Sequence, residues 1–269
     1  MGRFIVPSCR VAALETEVVL HNSIRDTDSE EDKSLKNNEL TVNLLIVSQG
    51  KVLHKVDEFI SIAPGQTKTV CEKDFVELFV PGQEYAFVFK TYYKGVDKDF
   101  SQEHQVLYRK RDTSKFATVL YDQFPNSLPN KVNPIILLAH KVWLSEDITT
   151  LVTLTNINEK GFGKEGMLPF HFSLLSQNGD KVFSREVAVF NETVVLDLSV
   201  MLKEMVDLNH NPQLFCLFAK GGGDGSCVIN TIILNKNTSS LTVEHSLYPG
   251  YYVSGDRDYI RKIALEGIV

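Results

Sequence analysis

Apolar positions along this chain alternate with polar ones over short runs far more often than they recur at helical spacing. The segments "ETEVVLHN", "ELTVNLLIV", "KVLHKV", "EYAFVFKTYY", "HQVLYRK" and "FATVLY" are rich in Val, Leu, Tyr and Phe and are divided by polar or Gly/Pro turns. Such period-2 stretches read as half-buried β-strands. The later part continues in the same manner with "PIILLAHKVWL", "TTLVTLTNI", "PFHFSLL", "KVFSREVAVF", "TVVLDL", "QLFCLFAK", "CVINTIIL" and "SLTVEHSLY". Many short strands at even spacing predict an all-β fold of the sandwich or barrel kind.

Two segments depart from this pattern. Leu198, Met201, Leu202, Met205 and Leu208 stand at i, i+3, i+4 spacing, which predicts a helix over Asp197 to Asn209 with Asp197 or Ser199 as its cap. The stretch "GDRDYIRKIALEG" predicts a C-terminal helix, capped at Asp256 or Asp258 and stopped at Gly267.

The order of the strands repeats. "LLIVSQGKVLHKV" from Leu44 returns as "SLLSQNGDKVFSREV" from Ser173, and "VVLHNSIRD" is matched by "VTLTNINEK". "GQEYAFVFKTYYKG" aligns with "NPQLFCLFAKGGGDG", and "SKFATVLYDQFPN" with "SSLTVEHSLYPG". A repeat of about 125 residues is the size of a whole sandwich domain and too long for a solenoid unit. We therefore expect two tandem antiparallel β-sandwiches related by internal duplication. The first spans 1–125, a Pro- and Asn-rich linker 126–133, the second sandwich 134–253 and a helical tail 254–269.

Composition narrows the class. The 269 residues are 43% apolar, 10% aromatic and 23% charged, which suits a soluble globular protein. A net charge of −6, with Arg109-Lys110-Arg111 the one basic run, argues against a nucleic-acid partner. No apolar run is long enough for a membrane span, and Pro7, Ser8, Cys9 and Arg10 interrupt the N-terminal segment, so no secretory signal is expected. Cys9, Cys71, Cys216 and Cys227 lie far apart without a C-x-x-C pair, consistent with reduced thiols and a cytoplasmic location. The run "GGGDG" reads as a hairpin turn that would bring Cys216 and Cys227 across from each other.

Candidate chemistry is thin. The acidic loop Arg25 to Glu39 offers Asp26, Asp28 and Glu30 as weak calcium ligands. The EF-hand pattern fails there, because Glu31 stands where Gly is required and Asn37 where a bidentate Glu is required, so a solvated loop is the plainer reading. The seven histidines form none of the compact ligand spacings, and no G-x-S-x-G elbow occurs. His140, Glu244 and His245 are the candidates for acid–base work, and Tyr248, Tyr251, Tyr252 and Arg257 of the aromatic tail for ligand contact.

These observations favour a non-catalytic recognition module that binds a protein or small-molecule ligand at the junction of the two sandwiches, with no cofactor. An enzyme (lyase, cyclase or hydrolase) with a His/Glu/Tyr site in the second domain or interdomain cleft is the first alternative. A calcium-dependent adaptor acting through residues 25–39 is the second. Exposed edge strands would also allow a homodimer. Because the second copy holds the only tryptophan, Trp143, and the aromatic tail, the site is expected there.

Overall fold

The computed structural model describes residues 2–24, 28–96, 102–123, 135–158, 169–221 and 226–245. The chain divides into two compact units, Met1–Asn126 with Asn191–Thr193, and Ser127–Phe190 with Val194–Val269.

In the first unit the strands are β1 (Gly2–Pro7), β2 (Leu14–His21), β3 (Leu40–Ser48), β4 (Lys51–Ile62), β5 (Thr67–Cys71), β6 (Ala86–Tyr93), β7 (Gln102–Lys110) and β8 (Phe116–Gln123). They form two four-stranded antiparallel sheets, ordered β1-β6-β3-β4 and β5-β2-β7-β8. Alternation on β2 buries Leu14, Thr16, Val18 and Leu20 and leaves Glu15, Glu17, Val19 and His21 half-buried, as expected for a sheet with one face on a core. The two sheets close over that core. Phe4 of β1 stacks on His104 of β7 at 3.6 Å between ring centroids, and the Tyr108 hydroxyl donates to the Pro7 carbonyl at 2.9 Å.

The second unit holds β9 (Ile135–Leu144), β10 (Ile148–Ile157), β11 (Pro169–Leu175), β12 (Lys181–Ala188), β13 (Glu192–Asp197, apart from Glu192 and Thr193), β14 (Gln213–Gly221), β15 (Ser226–Asn235) and β16 (Leu241–His245). Its sheets are ordered β9-β14-β11-β12 and β13-β10-β15-β16. Adding eight to every strand number of the first unit reproduces this order. The core joins Val142, Phe170, Phe172, Leu174, Phe215 and Leu217 of one sheet to Val152, Leu154 and Ile229 of the other.

The repeated phrase folds as the same hairpin in each unit. In β3–β4 the turn is two residues, Gln49 and Gly50, with φ of 48° and 75°, the pair of positive values that a tight hairpin matched to strand twist requires. In β11–β12 the turn is longer, closed by a 2.8 Å bond from the Ser176 amide to the Asp180 carbonyl, with Gly179 at φ 86°. Both hairpins carry a bulge near the turn, where Leu53 and Val182 have no partner in register.

Four expectations are corrected. The acidic segment is not a plain loop, since Glu30–Lys36 forms a helix, α1. The Ser29 side chain accepts from the Asp32 amide, acids fill the first turn and Lys33 and Lys36 the last, which complements the helix dipole. The helix expected over Asp197 to Asn209 is one turn, α2 (Leu198–Met201), after which the chain runs through turns that still direct Leu202, Val206 and Leu208 toward the core. The segment around Gly221 to Gly225 does not join a hairpin, because β14 and β15 lie in different sheets. Cys216, on β14, is a free thiol. Finally, the first unit opens on a strand, β1, that is not among those expected. The linker and the C-terminal helix lie outside the described residues. Among the described residues no helix is long and apolar enough to cross a membrane.

Candidate functional site

His140 and the backbone of Glu244 meet at Thr231 in the second sandwich, and His245 is paired one position further along its strand. His140 is half-buried on β9, and its Nδ1 lies 3.2 Å from the Thr231 hydroxyl of β15, in the facing sheet. Thr231 donates to the Glu244 carbonyl at 3.5 Å, and register places Glu244 opposite Thr231 and His245 opposite Asn230. A histidine that bonds a buried threonine across two sheets holds them together, and its ring nitrogen is engaged in that bond.

Asp28 and Glu30 do not converge. Asp28 is paired with Lys36 at 2.7 Å with 5% of its side chain exposed, whereas Glu30 is 90% exposed and paired with Lys33 at 2.8 Å. Among the described residues no group of three His, Cys, Asp or Glu side chains could hold a metal ion. Asp26, Tyr248, Tyr251, Tyr252 and Arg257 lie outside the described residues.

The first unit contains a buried polar cluster that sequence reasoning missed. The Glu84 carboxylate accepts from the Ser8 hydroxyl and from the Arg10 and Val11 amides at 2.8 and 2.7 Å. Glu72 accepts from the Arg10 guanidinium at 2.5 Å and from the Thr16 amide at 3.0 Å. Burial pushes the Glu72 carboxyl above the usual carboxylate range, against the opposing pull of the Thr16 amide and Arg10. Arg10 also lies over the Phe79 ring at 4.6 Å. These groups satisfy one another and fasten the turn between β1 and β2 to the segment after β5, so their chemistry is spent on structure.

The units differ on the side of each sandwich where the edge strands β4 and β5, or β12 and β13, stand. In the first unit, Phe75 stands four residues after Cys71 and is 6% exposed. Its ring contacts those of His54, Phe59 and Phe87 at 6.0, 5.8 and 6.3 Å. In the second unit the residue four beyond the Asp197 cap is Met201, and a small apolar gap remains there, with room for about one water molecule. Its walls include Phe172, Leu174 and Phe183 of one sheet, Val152 and Leu196 of the other, and Met201 of α2.

One charged side chain, Arg185, lines this gap. It stands opposite Phe172, as Val56 of the first unit stands opposite Leu44, four residues before the shared Ser-Gln turn in each case. The first unit thus has an aliphatic side chain where the second has a guanidinium. Arg185 is exposed and makes no ion pair or hydrogen bond among the described residues. A trace of this was present in "KVFSREVAVF", where Phe183, Arg185 and Val187 share one face of the strand.

No family model matches the chain, and no curated protein matches it. Among solved structures, the chain is similar to a glycosyl hydrolase family 2 member from Bacteroides cellulosilyticus, at 6% identity over 91% of this chain and 27% of that one, with a TM-score of 0.20. It is likewise similar to a putative beta-galactosidase from Bacteroides fragilis, at 7% identity over 90% of this chain and 32% of that one, with a TM-score of 0.16. The chain therefore spans less than a third of either protein.

Proposed function

We propose that this chain is a non-catalytic recognition module made of two β-sandwich domains that arose by duplication. In this reading the first domain spans 1–125, the second follows the linker 126–133, and the second copy carries the ligand site. The observation that supports it is a small apolar gap of about 10 Å³ between the sheets of the second unit, at the place that Phe75 occupies in the first. The aromatic tail with Tyr248, Tyr251, Tyr252 and Arg257 is proposed to add to the same recognition surface. Free thiols at Cys9, Cys71 and Cys216 support a cytoplasmic location.

Titration with a neutral, environment-sensitive apolar fluorophore tests the reading. The wild type is expected to enhance its emission saturably, and Leu196→Trp, which fills the gap, to weaken binding at least tenfold with an unchanged far-UV spectrum. Binding that is absent, or equal in the filled variant, would overturn it.

A second reading rests on the approach of His140 to Thr231 beside Glu244. It assigns acid–base chemistry to that rung, and an activity lost in His140→Asn with the fold preserved would select it.

A further inference from the structure

We propose that the β11–β12 turn is a site of spontaneous covalent modification, where Asn178 closes a ring onto the Gly179 nitrogen and is converted to aspartate and isoaspartate, and that the isoaspartate form releases the edge strand β12.

Asn178-Gly179 is the one Asn-Gly pair in the chain. Both residues are exposed, and the Asn178 side chain makes no hydrogen bond among the described residues. Gly179 sets no side chain beside the attacking nitrogen, and a Cβ at that position would meet nothing within 4 Å, so the space around the reacting atoms is open. In the step itself the Gly179 amide loses its proton to solvent, its nitrogen bonds to Asn178 Cγ, and the side-chain nitrogen leaves with a proton as ammonia. Water then opens the five-membered imide at either carbonyl. One amide is exchanged for one carboxylate, with water as the only co-reactant. Nucleophile and carbonyl sit on adjacent residues, and that proximity supplies the rate.

The other candidates are held back. The matching turn of the first unit carries Gln49-Gly50, whose longer side chain must close a six-membered ring with one more bond frozen. Asn22, Asn156, Asn191 and Asn230 are buried. Asn43 and Asn235 have their side-chain oxygens engaged, by the Glu58 amide and by the Asn237 and Thr238 amides.

The turn itself restrains Asn178. The Gly179 amide donates to the Ser176 carbonyl at 3.0 Å, and the Ser176 hydroxyl oxygen accepts from the Asn178 and Asp180 amides, both at 3.2 Å. Attack requires the Gly179 amide to leave its carbonyl, so local opening of the turn sets the pace. Isoaspartate routes the main chain through its Cβ and so lengthens the turn by one methylene. The Gly179 and Asp180 bonds to Ser176 span that point, as does the 2.8 Å bond from the Ser176 amide to the Asp180 carbonyl. Among the described strands β12 pairs with β11 alone, and its register starts at this turn.

The test ages the full chain in buffered heavy-oxygen water at mildly alkaline pH and maps its peptides by mass spectrometry, with fragmentation that separates aspartate from isoaspartate. Asn178 is expected to take up solvent oxygen before any other asparagine or glutamine, and Asn178→Gln to slow uptake in this peptide at least about tenfold. Ser176→Ala, which removes two bonds that hold the turn shut, should speed it about three- to tenfold. Limited proteolysis should cut aged wild type in β12 more readily than fresh Asn178→Asp, which carries the same charge without the extra chain atom. Uptake at Asn178 no faster than at Gln49 or at the other exposed asparagines would overturn the site. Equal cleavage of aged wild type and fresh Asn178→Asp would overturn the release of β12 and leave the modification site standing. An unchanged rate in Ser176→Ala would overturn the control by the turn.

Discussion

Arg10 donates to Glu72 at 2.5 Å, across a carboxylate that is only 3% exposed. Two effects oppose each other in that pair. Burial penalises the charged carboxylate, while Arg10 and the Thr16 amide favour it, and burial is the larger.

A carboxyl whose pKa is higher in the folded than in the unfolded chain binds its proton more tightly when folded. Its contribution to stability is complete below the unfolded value and is lost as pH rises through the folded one. Urea unfolding of wild type and Glu72→Gln between about pH 4 and 7 should show the wild type losing stability relative to the variant as pH rises. A difference that instead grows with pH would mean that Arg10 outweighs burial.

Cys9 is fully buried, and burial, with Glu84 and Glu72 adding to it, pushes its thiol well above the ordinary range. Because the thiolate is the reactive form, Cys9 should resist a thiol reagent in the native protein and react on unfolding. Cys71, half-buried and raised mainly by burial with Glu17 next, should react slowly at neutral pH. Mass mapping of the labelled thiols reads both, and native labelling of Cys9 at its unfolded rate would contradict the burial described.

Asn22 knots three segments of the first sandwich. Its Nδ2 donates to the Asn38 and Ile62 carbonyls, both at 2.9 Å, and its Oδ1 accepts from the Tyr93 hydroxyl at 2.9 Å. Asn22→Leu strands several buried polar groups and should cost about 2–4 kcal/mol, against about 1 kcal/mol for Tyr93→Phe. The double variant should cost less than the sum, which denaturant melts of all four proteins would reveal.

In the second sandwich the Asp197 carboxylate holds α2 in place. It accepts from the Ser199 amide at 2.9 Å, the Ser199 hydroxyl at 2.7 Å and the Thr149 hydroxyl at 2.6 Å. Asp197→Ala should cost about 1–2 kcal/mol as a lost cap. Leu202→Ala, at a fully buried position, should cost about 2–5 kcal/mol through the cavity it leaves. Unfolding midpoints check both, and a larger cost for Asp197→Ala than for Leu202→Ala would argue that the cap, not the core contact, anchors this turn.

Strand existence was readable from the residues because a sheet with one wet face writes its period into the chain, as β2 does with Leu14, Thr16, Val18 and Leu20. Pairing was not. Alternation along β14 and β15 is the same whether they pair with each other or sit in opposite sheets, and they do the latter. The gap was hidden for the same reason. Arg185 and Val56 become counterparts only once register sets each against a core residue, Phe172 or Leu44. The spacing places Met201 on a helical core face, but the small gap beside it shows only by contrast with the Phe75 ring of the first unit. The Ser29 cap of α1 was readable and was overshadowed by the run of acids that follows it.

The shared strand order also sets a timetable. β1 finds its neighbour in β6 and β2 in β7, as β10 does in β15, so central strands wait for partners from the far end of their own unit. Only the β3–β4 and β11–β12 hairpins, and the short β7–β8 and β15–β16 connections, can close early. Long chain loops must close before the remaining contacts reward them, which places folding on the slow, millisecond-to-second side for small domains. On the ribosome, each sandwich stays open until its seventh strand has emerged.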